Sequence, residues 1–138
     1  MRPEVEHALR IDRNTTVVDR RVDITTIGAR SGKPRRIEIW FYRAGDRLYL
    51  SGRPGPRSWY ANLLANPEFT LHLKGEVRAD LPARAVPITD RAERRRVFTR
   101  LIDDIVHSPA VPAPDPPLVV DDWVAGSPLA EIRFIEEG

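Results

Sequence analysis

The side chains best suited to bind an anion are concentrated in one part of this chain, residues 20–57. That segment carries ten basic and three acidic side chains, whereas residues 103–138 carry one basic and eight acidic side chains. All basic residues except Lys33 and Lys74 are arginines. Arginine presents a planar fork of N–H donors that fits phosphate and carboxylate groups. The charge distribution therefore indicates an anionic ligand at residues 20–57, with a solvated charged surface as the alternative.

Side chains that commonly perform catalysis are scarce. The chain has no cysteine, which excludes a cysteine nucleophile and a thiolate metal site. The histidines at positions 7, 72 and 107 lie far apart without metal-type spacing, and we expect His72 to be a partly exposed strand residue. No Gly-x-Ser-x-Gly pattern occurs, and residues 28–33 lack the full spacing of a phosphate-binding loop. We therefore expect no metal, and a bound cofactor as the source of any reactive atom.

The elements that must position these residues follow from alternation, turn residues and helical periodicity. Strands are expected at residues 22–27, 36–43, 47–51, 69–73, 76–88 and 128–135, and helices at residues 57–65 and 90–107. The short links between the first three strands require antiparallel pairing. Pro82 and Pro87 favour an edge or a bulge for the fifth strand. The pattern predicts an α+β domain built on an antiparallel sheet that curls into a small barrel.

Residues 90–107 predict the longest helix. Asp90 and Glu93 are spaced as in a capping box, so the helix is expected to begin there. Its apolar stripe consists of Val97, Phe98, Leu101, Ile102, Ile105 and Val106. Five prolines between positions 109 and 117 then exclude helix and sheet. This segment is expected to be an exposed loop, either a lid over a pocket or an inert connection.

The length of 138 residues fits one domain, 1–138, with residues 1–20 as an N-terminal extension and 108–118 as a proline-rich loop. No apolar run approaches the roughly 20 residues of a membrane span, so no stable membrane insertion is expected. The N-terminal residues are charged and do not resemble a signal peptide. These features predict a cytoplasmic protein.

Two blocks of sequence resemble the deazaflavin-dependent nitroreductase family. Residues 25–36, Thr-Thr-Ile-Gly-Ala-Arg-Ser-Gly-Lys-Pro-Arg-Arg, are similar to the signature of that family. Residues 59–67, Trp-Tyr-Ala-Asn-Leu-Leu-Ala-Asn-Pro, resemble its Trp-x-x-Asn-Leu-x-Ala-Asn-Pro helix. The resemblance is good over residues 22–88. It implies a split β-barrel of the FMN-binding type with two or three peripheral helices, and the deazaflavin cofactor F420, with FMN as the alternative.

The resemblance also implies which residues hold the cofactor. F420 carries a phosphodiester and an oligoglutamate tail, and the family holds the phosphate region with the turn and the adjacent strand. The matching positions are Arg30, Ser31, Lys33, Arg35 and Arg36. The ring system would lie along Ile37, Glu38, Ile39 and Trp40, and the pocket would be closed by Ser51, Gly52, Arg53, Trp59 and Asn62. An apolar substrate side would consist of Trp40, Phe41, Trp59 and Tyr60.

The function that the resemblance implies is an F420-dependent reductase. Such an enzyme passes hydride from the reduced cofactor to a small activated acceptor, which is a quinone, an enone or a nitro compound. The alternative is an FMN-type or non-catalytic split barrel that binds or carries a flavin or another anionic ligand. Nucleic acid is not expected as a partner, because the basic segment lacks an aromatic stacking platform. Relatives are often dimers, so a homodimer is expected.

Overall fold

Six antiparallel strands form a closed barrel in the computed structural model, which describes residues 1–135. The strands are β1 Arg21–Ile27, β2 Pro34–Ala44, β3 Arg47–Ser51, β4 Glu68–Lys74, β5 Arg78–Pro87 and β6 Leu129–Phe134. Their order around the barrel is β1-β2-β3-β6-β5-β4, and pairing of β1 with β4 closes it. The predicted antiparallel barrel and its six strands are confirmed.

Four α-helices surround the barrel within residues 1–135, where two or three were predicted. They are α1 Pro3–Leu9, α2 Ser58–Ala65, α3 Arg91–Val106 and α4 Val120–Gly126. The helices α1 and α4 were missed because seven residues make only two turns, too few to show a periodic apolar stripe. Among the described helices, none has the length and apolar character that crossing a membrane requires.

The N-terminal segment, predicted as an extension, packs into the barrel. Val5 and Leu9 of α1 and the following Ile11 are buried in the same apolar cluster as Phe41, Leu50 and other residues of the barrel interior. Burial of such side chains is worth about 1.5–3 kcal/mol each relative to exposure. The segment therefore contributes to the main core of the domain.

The fifth strand is paired on both sides, which corrects the prediction that its prolines mark an edge or a bulge. In a β-strand the nitrogen and the carbonyl of one residue point to the same side. Ile135 donates its N–H to the carbonyl of Pro82, so the nitrogen of Pro82 also points towards β6, at a level beyond the last residue of β6. Ile88 donates to the carbonyl of Leu129, so the neighbouring Pro87 faces the β4 side, before β4 begins. Neither proline removes a bond from the ladder, because each lies past the end of the strand it faces.

Helix α3 covers one outer side of the barrel and forms a second core with Tyr42, Tyr49, Leu129 and Trp123. Its N-cap is confirmed, since the side chain of Asp90 accepts a hydrogen bond from the N–H of Glu93. Its buried face consists of Val97, Phe98, Leu101, Ile102 and Ile105. Val106, the last residue of the helix and predicted in that stripe, is 47% exposed.

Arg94 fixes the position of α4 beneath α3. Its guanidinium donates hydrogen bonds to the carbonyls of Ile88, Trp123, Val124 and Ser127 at 2.6–3.2 Å. Hydrogen bonds from a charged donor contribute about 1.5–3 kcal/mol each, and a buried carbonyl without a partner is costly. The helix that carries Trp123 is therefore held rigidly against the barrel.

His72 is buried, which corrects the prediction of a partly exposed strand residue. Its Nε2 lies 2.7 Å from Oγ1 of Thr25, and its Nδ1 lies 2.6 Å from Oδ1 of Asp80. The hydrogen bond from His72 lowers the pKa of Asp80. Because both ring nitrogens have partners across β1, β4 and β5, His72 links three neighbouring strands.

Candidate functional site

The turn between β1 and β2 is a compact hydrogen-bonded loop. Gly28 donates its N–H to the carbonyl of Lys33 at 2.8 Å, and Gly32 donates to the carbonyl of Gly28 at 2.9 Å. Gly32 has a φ of 68°, a left-handed conformation that favours glycine. A Cβ at Gly28 would lie 2.4 Å from Oγ of Ser31. The two glycines are therefore required by the path of the turn.

Asn62 of α2 holds this turn from the side. Its Oδ1 accepts a hydrogen bond from the N–H of Ala29 at 2.9 Å, and its Nδ2 donates to Oγ1 of Thr26 at 3.1 Å. The two sequence blocks that carry the family resemblance are thus joined directly by the side chain of Asn62. The geometry assigns Asn62 a positioning role, because it fixes the backbone between β1 and the turn.

A cavity of about 510 Å³, the turn cavity, lies between the turn and α2. Arg30, Ser31 and Arg35 line it together with Asn62 and Trp59. Within residues 1–135, neither Arg30 nor Arg35 forms an ion pair with a carboxylate. Two exposed guanidinium groups without a carboxylate partner in this part of the chain are suited to a phosphate or carboxylate ligand.

Lys33 and Arg36 are the two predicted cofactor residues that line neither this cavity nor the next one. Lys33 is exposed at the end of the turn. Nε of Arg36 forms an ion pair at 3.0 Å with Oδ2 of Asp23 on the neighbouring strand β1. A cofactor contact for either residue stays a prediction.

A second cavity of about 690 Å³, the apolar cavity, adjoins the turn cavity and shares Ile37 and Trp59 with it. The other predicted residues that line it are Glu38, Ile39, Trp40, Ser51, Gly52 and Arg53. The structure therefore brings together all the predicted cofactor residues except Lys33 and Arg36. They line two adjoining cavities, which we together call the groove: the turn cavity is its basic end and the apolar cavity its apolar end.

The apolar side of the cavity differs from the prediction. Phe41 is 0% exposed in the barrel interior, and Tyr60 packs against the same core, so neither lines the cavity. Residues that the sequence reasoning missed take their place: Tyr42, Leu101, Ile105, Val111, Leu118 and Trp123. Alternation along β2 was the available signal, because Tyr42 must share a face with Trp40.

The negative charge at the rim of the apolar cavity is compensated. The carboxylate of Glu38 is hydrogen-bonded to Nζ of Lys74, which also lies 2.6 Å from Oδ1 of Asp23. Hydrogen bonds to Asp23 and Glu38 raise the pKa of Lys74, so its ammonium group stays charged. The pairing with Lys74 therefore reduces the repulsion between Glu38 and an anionic ligand in the groove.

Tyr42 is a buried tyrosine that lines the apolar cavity. Burial raises the pKa of Tyr42 to about 12, against the opposing effect of the charges of Arg20 and Arg53. The hydroxyl therefore keeps its proton at neutral pH. It is suited to donate a hydrogen bond to a ligand oxygen.

Comparison with solved structures identifies the barrel type. The chain is similar to a pyridoxamine 5′-phosphate oxidase-related, FMN-binding protein from Nostoc punctiforme (15% identity, 98% of this chain and 82% of that chain, TM-score 0.62). It is also similar to a conserved hypothetical protein from Mycobacterium tuberculosis (15% identity, 99% and 82%, TM-score 0.67). An F420 reductase matches at 20% identity over 84% of this chain and 86% of its own, with a TM-score of 0.54. These likenesses show the split β-barrel fold.

The family is shown by the sequence itself. The model of the F420H(2)-dependent quinone reductase family matches residues 6–108, which include the turn, α2 and all of α3. The matched region contains every predicted cofactor residue. On this match, the chain belongs to the F420H(2)-dependent quinone reductase family.

Proposed function

We propose that this protein binds F420 along the groove and uses it to reduce a quinone. The observation that carries the proposal is the junction of the two cavities at Ile37 and Trp59. One side of this junction offers the guanidinium groups of Arg30 and Arg35, which have no ion-pair partner among residues 1–135, and the other offers apolar and aromatic side chains. The family supports F420-dependent hydride transfer, and its description favours a quinone over an enone or a nitro compound.

The residues present fit the two halves of the cofactor. The phosphodiester and oligoglutamate half is anionic, and Arg30 and Arg35 would hold it by charge-assisted hydrogen bonds. The planar ring half is suited to the apolar cavity, whose volume of about 690 Å³ is within the usual range of ligand sites. When bound, reduced F420 supplies the hydride. Trp40 and Trp59 would orient the ring and exclude water from it.

Titration of the purified protein with oxidised F420 tests this function. All three tryptophans of the chain line the apolar cavity, so intrinsic fluorescence reports its occupation directly. We expect saturable quenching at micromolar F420, and turnover of a quinone with reduced F420. No binding of F420 or FMN at tens of micromolar would refute the proposal.

An FMN-type or non-catalytic carrier is the second candidate, and it is supported by the likeness of the fold to an FMN-binding protein. Turnover of the same quinone panel with reduced F420 and with reduced FMN separates the two. A carrier binds its cofactor without reducing any acceptor. The homodimer and the cytoplasmic location stay predictions, and sedimentation equilibrium of the purified protein measures the first.

Asn62→Ala is expected to weaken F420 binding about tenfold. The two hydrogen bonds of Asn62 contribute about 1 kcal/mol each, and their loss frees the turn that presents Arg30. Fluorescence titration measures the affinity, and a thermal melt verifies folding. Leu64→Ala on the exposed side of the same helix is the control. If Asn62→Ala binds F420 as tightly as the unaltered protein does, Asn62 does not position the turn for the cofactor.

A further inference from the structure

One side of the apolar cavity is formed by residues that follow the region matched by the family model. That model ends at residue 108, whereas Val111, Pro112, Pro114, Leu118 and Trp123 line the cavity opposite β2. We call these five residues the acceptor wall. The cofactor residues lie within the matched region, whereas the acceptor wall lies after it.

The acceptor wall differs in charge from the rest of the cavity. Its five side chains are all uncharged and apolar apart from the indole N–H of Trp123, and Leu101 and Ile105 of α3 continue the same surface. The charged side chains among the described lining residues, Glu38, Arg53 and Arg57, belong to β2 and to the loop before α2. An ionised group placed against these five side chains would lose water without a partner among them, and the nearest cation, Arg53, already donates to the carbonyl of Pro116.

The wall is held in place from several directions. Nη1 of Arg53 donates a hydrogen bond to the carbonyl of Pro116 at 3.2 Å. The hydroxyl of Ser108 donates to the carbonyl of Arg13 at 2.5 Å. Val111 and Leu118 pack against the second core. Because proline also fixes its own φ angle, the segment presents a fixed apolar surface to the cavity, and its action as a lid stays a prediction.

We propose that the acceptor wall determines acceptor specificity: it admits flat, uncharged rings and rejects acceptors that carry an anionic group on the ring. The inference rests on the proposed function, because it takes the apolar cavity as the place where the acceptor binds. Leu118 is the most informative position, since it lines the cavity whereas the adjacent Val119 is exposed and does not. These neighbours allow the same substitution at a lining and a non-lining position.

The experiment measures binding of a naphthoquinone and of its sulfonate by tryptophan fluorescence, without cofactor. For the unaltered protein we expect at least about a tenfold preference for the uncharged quinone, since each tenfold ratio is only 1.4 kcal/mol. Leu118→Arg should reduce that preference about tenfold, whereas Val119→Arg, with the same net charge, should leave it unchanged. Leu118→Ala should weaken binding of the uncharged quinone severalfold, which keeps the test valid if the arginine variant does not fold.

The outcomes separate this inference from the proposed function. Equal affinity for the two quinones in the unaltered protein, or equal effects of Leu118→Arg and Val119→Arg, would overturn the role of the wall. F420 titration of Val119→Arg should give an unchanged affinity, because Val119 is exposed and lines neither cavity. If F420 fails to bind the unaltered protein, the proposed function fails, while selective quinone binding would still support the wall.

Discussion

Replacing Arg30 and Arg35 together by alanine is expected to weaken F420 binding about 100-fold without unfolding the barrel. Each arginine would contribute a charge-assisted bond worth about 1.5–3 kcal/mol, and a loss of about 3 kcal/mol corresponds to two powers of ten in affinity. Both side chains are exposed and line the turn cavity, so their removal leaves the apolar cores intact. Fluorescence titration with oxidised F420 measures the affinity, and circular dichroism verifies the fold.

A matched control removes the same charge elsewhere. Arg78 and Arg84 are exposed on β5, and neither lines the two cavities of the groove. The double variant Arg78→Ala, Arg84→Ala should change the affinity less than threefold at about 0.15 M salt, because distant surface charges are screened there. Equal losses in the two double variants would mean that overall charge attracts the cofactor. If the double variant Arg30→Ala, Arg35→Ala binds F420 with unchanged affinity, the phosphate of the cofactor lies elsewhere.

The sequence also singled out Lys33 beside Arg35, and the structure changes the emphasis between them. Lys33 does not line the turn cavity, whereas Arg30 and Arg35 do. The motif identifies the turn because its glycines and basic residues are adjacent in sequence. It does not fix where each side chain points, because that depends on how α2 and Asn62 hold the turn. Residue types were therefore predictable here, and their orientations were not.

The barrel was predictable for a physical reason. Each strand carries alternating or β-branched residues between turn residues, so local patterns suffice, as in Phe69 to Leu73 of β4. Near the centre of β2, residues 39–42 are apolar or aromatic at every position. The apolar pattern alone then cannot say which face is interior, but once Trp40 is placed in the cavity, alternation assigns Tyr42 to the same face and Phe41 to the opposite one. The acceptor wall was missed because its residues meet only when the segment after α3 folds over the barrel.

Tyr42→Phe is expected to lower kcat for quinone reduction about 100-fold, the cost typical of losing one hydrogen-bond donor to a developing oxyanion. Tyr42 lines the apolar cavity and also an adjoining cavity of about 360 Å³ with Arg20, Arg43 and Arg100. A reduced quinone carries negative charge on oxygen before it gains a proton. A protonated hydroxyl at Tyr42 would stabilise that oxygen, and the guanidinium groups beyond it would reinforce the effect.

The pH dependence and a cross-strand control decide whether the hydroxyl of Tyr42 has this role. Burial raises the pKa of Tyr42 to about 12, so loss of its proton should not affect kcat from pH 6 to about pH 10. Tyr49 pairs with Tyr42 across β2 and β3 and is buried in the same core, but it lines neither cavity. Tyr49→Phe should therefore keep nearly full kcat, and both variants should retain F420 affinity. If Tyr49→Phe lowers kcat as much as Tyr42→Phe does, packing of the second core explains the loss and the hydroxyl of Tyr42 does not act on the acceptor.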